Sequence, residues 1–128
     1  PLGSGRTVAD RATVQARVAE AEAGLRAAHA LTEQAVAAAW VDAEAGGQAR
    51  TEQRLGLRLS ATHAVRTAAR VADACHDLGG GSAIYASSPL QRRLRDAQTA
   101  TAHAQVAPAT WELTGRLLLD RATDIAQL

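Results

Sequence analysis

From Asp10 to Ala45 the chain carries no proline, and two successive glycines, Gly46 and Gly47, then break the run. A proline-free stretch of this length ending in glycine reads as one long helix, entered from an N-cap at Asp10 or Thr13. Val14, Val18, Ala21, Leu25, Ala28, Ala35 and Ala39 recur at spacings of three, four and seven, which predicts a single buried stripe along it.

A second long helix is expected from near Thr51 to Gly79, with Leu57, Ala61, Ala64, Ala68, Val71, Cys75 and Leu78 on its buried side. Gly56 weakens its first turns. Two long helices joined by a short glycine-containing loop make an antiparallel hairpin. Ser88, Pro89 and Gln91 then spell a helix start, with serine as N-cap, proline at the first helical position and a Ser-x-x-Gln capping box. This third helix is expected to run to about Ala104. Pro108 opens a fourth, carrying Trp111, Thr114, Leu117 and Leu118, and Ala122 to Leu128 reads as a weakly held tail.

The expected fold is therefore all-α, an antiparallel four-helix bundle over residues 6–121, followed by a tail at 122–128. Pro1-Leu2-Gly3-Ser4 resembles the scar of a cleaved expression tag, so residues 1–5 are set aside. Alanine supplies about a quarter of the residues while phenylalanine and methionine are absent, so the helices must approach closely to reach native packing density.

Several function classes are disfavoured. Fourteen basic and 13 acidic residues nearly cancel and are interspersed, which leaves no basic stripe for nucleic acid. No apolar run is long enough to span a bilayer and no secretory h-region is present, so no membrane partner and a cytoplasmic location are expected. Cys75 stands alone and reads as a small buried hydrophobe. No metal is expected, because a di-iron bundle needs paired Glu-x-x-His elements. Three residues before His29, His63, His76 and His103 stand Arg26, Ser60, Asp73 and Ala100.

Two places hold more than a bundle requires. Gly79-Gly80-Gly81 follows a helix rather than a strand, so it is no dinucleotide loop. Its plain reading is a helix stop. Yet three glycines exceed the needs of a C-cap and leave backbone N–H groups open to a phosphate or another chain. On the third helix, Leu90, Leu94, Ala97 and Ala104 face the bundle, whereas Arg92, Asp96, Thr99 and His103 share the opposite side. That side is either a solvated face or one lining of a site completed by another domain. Asp96 and His103 lie two turns apart, roughly 10 Å, so they would act separately. Arg92, Arg93 and Arg95 crowd together, and at least one is expected to pair with Asp96 or with an acid of a neighbouring domain.

Taken in order, Leu78-Gly79-Gly80-Gly81-Ser82-Ala83-Ile84-Tyr85, Ser87-Ser88-Pro89-Leu90-Gln91-Arg92, Leu94-Arg95-Asp96, His103 and Pro108-Ala109-Thr110-Trp111 resemble the C-terminal domain of the acyl-CoA dehydrogenase superfamily. The nearest branch resembles the two-component flavin-dependent monooxygenases, the group that includes hydroxyphenylacetate and steroid-ring hydroxylases. The resemblance implies a parent subunit with a helical N-terminal domain, a β-barrel and this bundle, assembled as a tetramer, and dimers or larger forms of the fragment alone. It implies that Gly80, Gly81 and Ser82 lie against a reduced FMN or FAD delivered by a separate flavin reductase. It also implies that His103 points into the pocket of an aromatic or polycyclic substrate, where a histidine suits deprotonation of a phenol. Tyr85, Arg95, Asp96 and Thr99 are the accompanying pocket or interface candidates. Without the other domains the fragment is expected neither to hold flavin tightly nor to turn over. An acyl-CoA dehydrogenase or flavin-dependent heteroatom oxidase on the same scaffold is the alternative, disfavoured for the dehydrogenase because no glutamate has a matching context. A non-catalytic oligomerisation module is the third reading.

Overall fold

The computed structural model describes residues 7–128, so the tag reading of residues 1–5 lies outside the described residues. Among the described residues the chain forms four α-helices and no strand: α1 (Ala12–Glu44), α2 (Thr51–Gly79), α3 (Pro89–Thr101) and α4 (Ala109–Leu118). Short 3-10 turns at Val8–Asp10, Gly80–Ile84 and Ala104–Val106 precede α1, follow α2 and precede α4. None of these helices is long and apolar enough to cross a membrane.

Helix α2 is the hub against which α1, α3 and α4 all pack. The α1–α2 hairpin is antiparallel: Arg17 pairs with Asp77 at 3.3 Å at one end, and Gln53 Nε2 donates to the Ala38 carbonyl at 3.0 Å near the other. The Gln53 Oε1 also accepts the Arg50 N–H at 2.8 Å, closing the first turn of α2 and fixing the connecting loop to α1.

The buried stripes differ from the expected ones for a physical reason. A Cβ added at Gly24 would lie 3.5 Å from Thr67 Cγ2, so α1 and α2 meet through their smallest side chains. Ala28 is buried there, while Val18 and Leu25, expected in the seam, are turned outward and exposed. On α2, Gln53, Ser60 and Thr67 are buried at seven-residue spacing on the α1 side. Thr62 and Ala69, half a turn round, are buried against α4 and α3. A helix covered on opposite sides has no single stripe, and Ala61 and Ala68, expected inside, fall between the two seams and are exposed.

The α2–α4 seam is a hydroxyl network. Thr62 is fully buried, and its Oγ1 lies 2.9 Å from both Thr110 Oγ1 and the Arg58 carbonyl. Thr110 and Thr114 are also buried, bonding back to the Ala107 and Thr110 carbonyls at 2.7 and 2.8 Å. Each hydroxyl finds a partner inside the chain, which is the condition for burying it without a penalty.

Helix α3 begins at Pro89 as expected, but the capping box does not form. The Ser88 N–H donates to the Tyr85 carbonyl at 2.8 Å, so Gln91 has no free N–H to bond back to. Gln91 Oε1 is buried without a partner. The tail runs back along the helices. Arginines 54, 58 and 116 donate to its carbonyls and hold it against the helices.

Candidate functional site

The three glycines at the end of α2 have three different reasons to be glycine. At Gly79 a Cβ would meet Leu90 Cδ1 at 2.6 Å and Ala83 Cβ at 3.0 Å, so this residue is demanded by the contact with α3. Gly80 has φ +55° and ψ −147°, a conformation essentially closed to residues with a Cβ. At Gly81 φ is not positive and an added Cβ meets nothing within 4 Å, so nothing inside the chain asks for glycine there. An open, side-chain-free backbone at the surface suits close approach by a flat or phosphorylated group from outside. Ser82 caps the turn through Oγ to the Gly79 carbonyl at 2.8 Å. Beyond it Ile84 and Tyr85 are exposed by 65% and 64%, large apolar surface that this chain leaves uncovered.

Helix α3 turns Leu90, Leu94 and Ala97 inward, as its periodicity indicates. Arg92, Arg93, Arg95, Asp96 and Thr99 are all exposed. Thr99 Oγ1 bonds back to the Arg95 carbonyl at 2.8 Å. Among the described residues none of these arginines pairs with Asp96 or any other acid, so the expected internal pairing is absent. What remains is a solvated basic edge or an acid partner from a neighbouring domain.

His103 is not on the helix. Helix α3 ends at Thr101, Ala102 is its C-cap, and His103 takes an extended conformation at the head of the Ala104–Val106 turn. The shared face inferred for Arg92, Asp96, Thr99 and His103 therefore breaks before the histidine, and Ala104, expected inward, is exposed. The exposed imidazole instead caps the turn, with Nδ1 accepting the Gln105 N–H at 3.3 Å. This leaves Nε2 free to meet a ligand. An Asn, Ser or His that caps a 3-10 turn bears no signal in hydrophobic periodicity, which is why the earlier end of α3 was not legible.

The candidates thus occupy open surface on the glycine turn, the outer edge of α3 and the turn beyond it. A groove of about 560 Å³ lies next to the last of these, with Ala104 and Gln105 on one side and Thr110, Leu113 and Arg116 of α4 on another. Arg58 and residues of the tail complete it, two contributors that the sequence did not suggest. Among the described residues no three His, Cys, Asp or Glu side chains are grouped around a common point.

Comparison with known proteins places this geometry in context. The family model described as "Acyl-CoA dehydrogenase, C-terminal domain" matches residues 2–108. Indole-3-acetate monooxygenase of Pseudomonas putida is 40% identical over 114 residues, which cover 89% of this chain and 29% of that protein. The oxygenase component of FADH(2)-dependent resorcinol hydroxylase from Rhizobium sp. (strain MTP-10005) is 31% identical over 120 residues, 91% of this chain and again 29% of the relative. Among solved structures, 3-HSA hydroxylase from Rhodococcus sp. RHA1 superposes with a TM-score of 0.87 at 25% identity, covering 98% of this chain and 32% of that one. The chain spans about 29% of the length of the curated relatives it matches.

Proposed function

Because the chain belongs to the family of acyl-CoA dehydrogenase C-terminal domains, we propose that it is the C-terminal bundle of a reduced-flavin-dependent monooxygenase that hydroxylates an aromatic substrate. The observation that carries this reading is that the relatives aligned over nine-tenths of the chain are a monooxygenase and the oxygenase component of a hydroxylase. The geometry supports it at the level of surfaces. Open backbone at Gly81, exposed Ile84 and Tyr85, and unpaired charges along α3 describe one wall of a site whose remainder lies in other domains or subunits.

In this reading Gly80, Gly81 and Ser82 lie against the flavin, FMN or FAD, and Tyr85, Arg95, Asp96 and Thr99 face the substrate pocket or a neighbouring subunit. When bound in its reduced form, flavin supplies the activation of oxygen, and a separate reductase supplies the reduced flavin. The chain's own contributions are placement and proton handling. His103 takes the proton of a phenolic substrate at Nε2, which makes the substrate oxygen more electron-donating to its ring. For Nε2 to accept, the neutral ring must carry its proton on Nδ1, so the 3.3 Å contact with the Gln105 N–H is released as substrate binds. The exposed apolar residues provide the surface through which bundles assemble into the parent oligomer, a tetramer, and by which the fragment alone self-associates.

The test uses the full-length parent with a flavin reductase. Oxygen consumption coupled to phenol hydroxylation is expected, and His103→Ala should lower the product-forming rate by roughly 10²-fold or more. A mutant as fast as the parent removes His103 from proton transfer. Reduction of bound flavin by an acyl-CoA, with no hydroxylated product, replaces the monooxygenase with the dehydrogenase.

A further inference from the structure

The segment after α4 is built as a hinge followed by a clamped strap. Asp120 is the only non-glycine among the described residues with a positive φ, at 54°, and it is there that the chain reverses out of α4. Residues 121–128 then run back to the start of α2. Leu128 is half-buried and Ile125, at 37% exposure, is largely covered, so some apolar contact holds them. Arginines supply the rest. Arg54 donates through Nη2 to the Ile125 and Leu128 main-chain oxygens at 3.1 and 3.0 Å, Arg58 to the Gln127 carbonyl at 2.8 Å, and Arg116 to the Ala122 carbonyl at 3.0 Å.

Two further facts give this attachment a consequence. The strap residues Ala122, Thr123, Asp124 and Gln127 form one bank of the 560 Å³ groove whose other bank is α4. The second hand of Arg58, Nη1, donates to the Gln105 carbonyl at 2.9 Å, in the turn whose Gln105 N–H bonds to His103. One guanidinium therefore ties the strap to the turn that carries His103. Arg58 and Arg116 end on backbone carbonyls, whereas Arg54 also reaches the main-chain oxygen of Leu128, the last residue of this chain. A short segment held by a few arginine-to-backbone hydrogen bonds and partly covered apolar side chains, beyond a residue of positive φ, is the kind of contact that opens locally well below the cost of global unfolding.

We infer that residues 120–128 are a hinged strap that completes the groove beside α4, and that Arg58 transmits its docking to the His103 turn. Arg58 is a positioning residue. The strap stands without any assumption about activity; only its value to catalysis at His103 rests on the monooxygenase reading.

The experiment uses this 128-residue chain. Trypsin cleavage after Arg121 is followed by mass spectrometry, and hydrogen exchange is read at the amides of Gln105 and Val106. Arg54→Gln, which releases the strap but leaves the Gln105 bond, should raise the cleavage rate roughly tenfold with helix content unchanged by circular dichroism. Arg58→Gln should do the same and also speed exchange at Gln105 and Val106. Arg58→Lys, whose compact ammonium lacks the fork that spans the Gln105 and Gln127 carbonyls, should restore only part of the protection. Asp120→Gly relieves the positive φ and should slow cleavage, an opposite sign that general destabilisation does not produce. Cleavage of the unsubstituted strap at the rate of a free peptide overturns the strap. A chain truncated before Asp120 in which the His103 and Gln105 NMR signals stay in place overturns the coupling.

Discussion

The seam between α2 and α4 and the outer side of α1 invert the usual distribution of side chains. In the seam, Thr62, Thr110 and Thr114 are buried and bonded to one another or to carbonyls. On the outer side of α1, Val18, Leu25, Val36 and Trp40 are exposed, Trp40 by 61%, with no helix among the described residues packed over them. At 100° per residue these four fall on one strip beside the α2 seam. Small polar residues are thus covered while large apolar ones are bare. A self-sufficient domain gains most of its stability by burying large apolar side chains. The difference teaches that the seams set how closely helices approach, and that the larger apolar surface is left uncovered by the described residues.

The strongest challenge to that contrast is a substitution in the seam. Thr62→Ala removes a methyl group and a hydroxyl from a fully buried position and leaves Thr110 short of a partner. A loss of about 2 kcal/mol in unfolding free energy is expected, measured by urea denaturation. Thr110→Ala combined with it should cost less than the sum of the two single changes, because the pair is shared. Additive losses show that the hydroxyl pair contributes nothing as a pair.

Next in size is a comparison within the glycine run. Gly79→Ala forces Leu90 and the fully buried Ala83 to give way and should destabilise by about 1–2 kcal/mol. Gly81→Ala meets open space and should change stability by less than about 0.5 kcal/mol. In the full-length parent the order should reverse for flavin: Gly81→Ala weakens binding although it leaves folding untouched. If Gly81→Ala destabilises the isolated chain as much as Gly79→Ala, the split between inward and outward glycines fails.

On the outer side of α1, Val36→Ser with Trp40→Ser should leave unfolding within about 0.5 kcal/mol of the parent chain, since both side chains are exposed. Sedimentation should show weaker self-association of the double mutant. A monomeric parent chain at all concentrations would mean that this strip is covered only by other domains.

These contrasts also show which features sequence could reveal. Helix starts were legible where local chemistry fixes them, as at Thr51 and Pro89, and the glycine stop at Gly79 was legible for the same reason. The face of α1 was legible only in part, since Ala21, Ala28, Ala35 and Ala39 are buried or half-buried as expected. Val18 and Leu25 have the right spacing and hydrophobicity for a core, but the close approach at Gly24 and Thr67 selects the smaller neighbouring strip, and spacing does not report interhelical distance. Likewise the motif residues from Gly79 to His103 identified the family, yet the end of α3 at Thr101 was set by a cap that periodicity does not encode. The tail was least legible, because its attachment comes from arginines more than 60 positions away donating to backbone carbonyls, which any sequence supplies.

The smallest expected effect lies at the α1–α2 loop, where charge joins the two regions. The Gln53 side-chain amide and the Arg50 guanidinium, 2.9 Å from Asp42 Oδ2, hold the Asp42 carboxyl below its ordinary pKa of 3.8. A carboxyl that binds its proton less readily when folded stabilises the folded chain fully above its unfolded pKa. That contribution is lost as pH falls through the lower, folded value, so it disappears in acid below about pH 4. Asp42→Asn should therefore lower Tm slightly near neutrality and make no difference at the acid end, where Asp42 is itself protonated. Thermal melts across that range check it. The loop is exposed, so salt should shrink the neutral-pH difference as well. A difference that persists unchanged in acid and in salt would mean that Asp42 acts by shape at the loop rather than by charge.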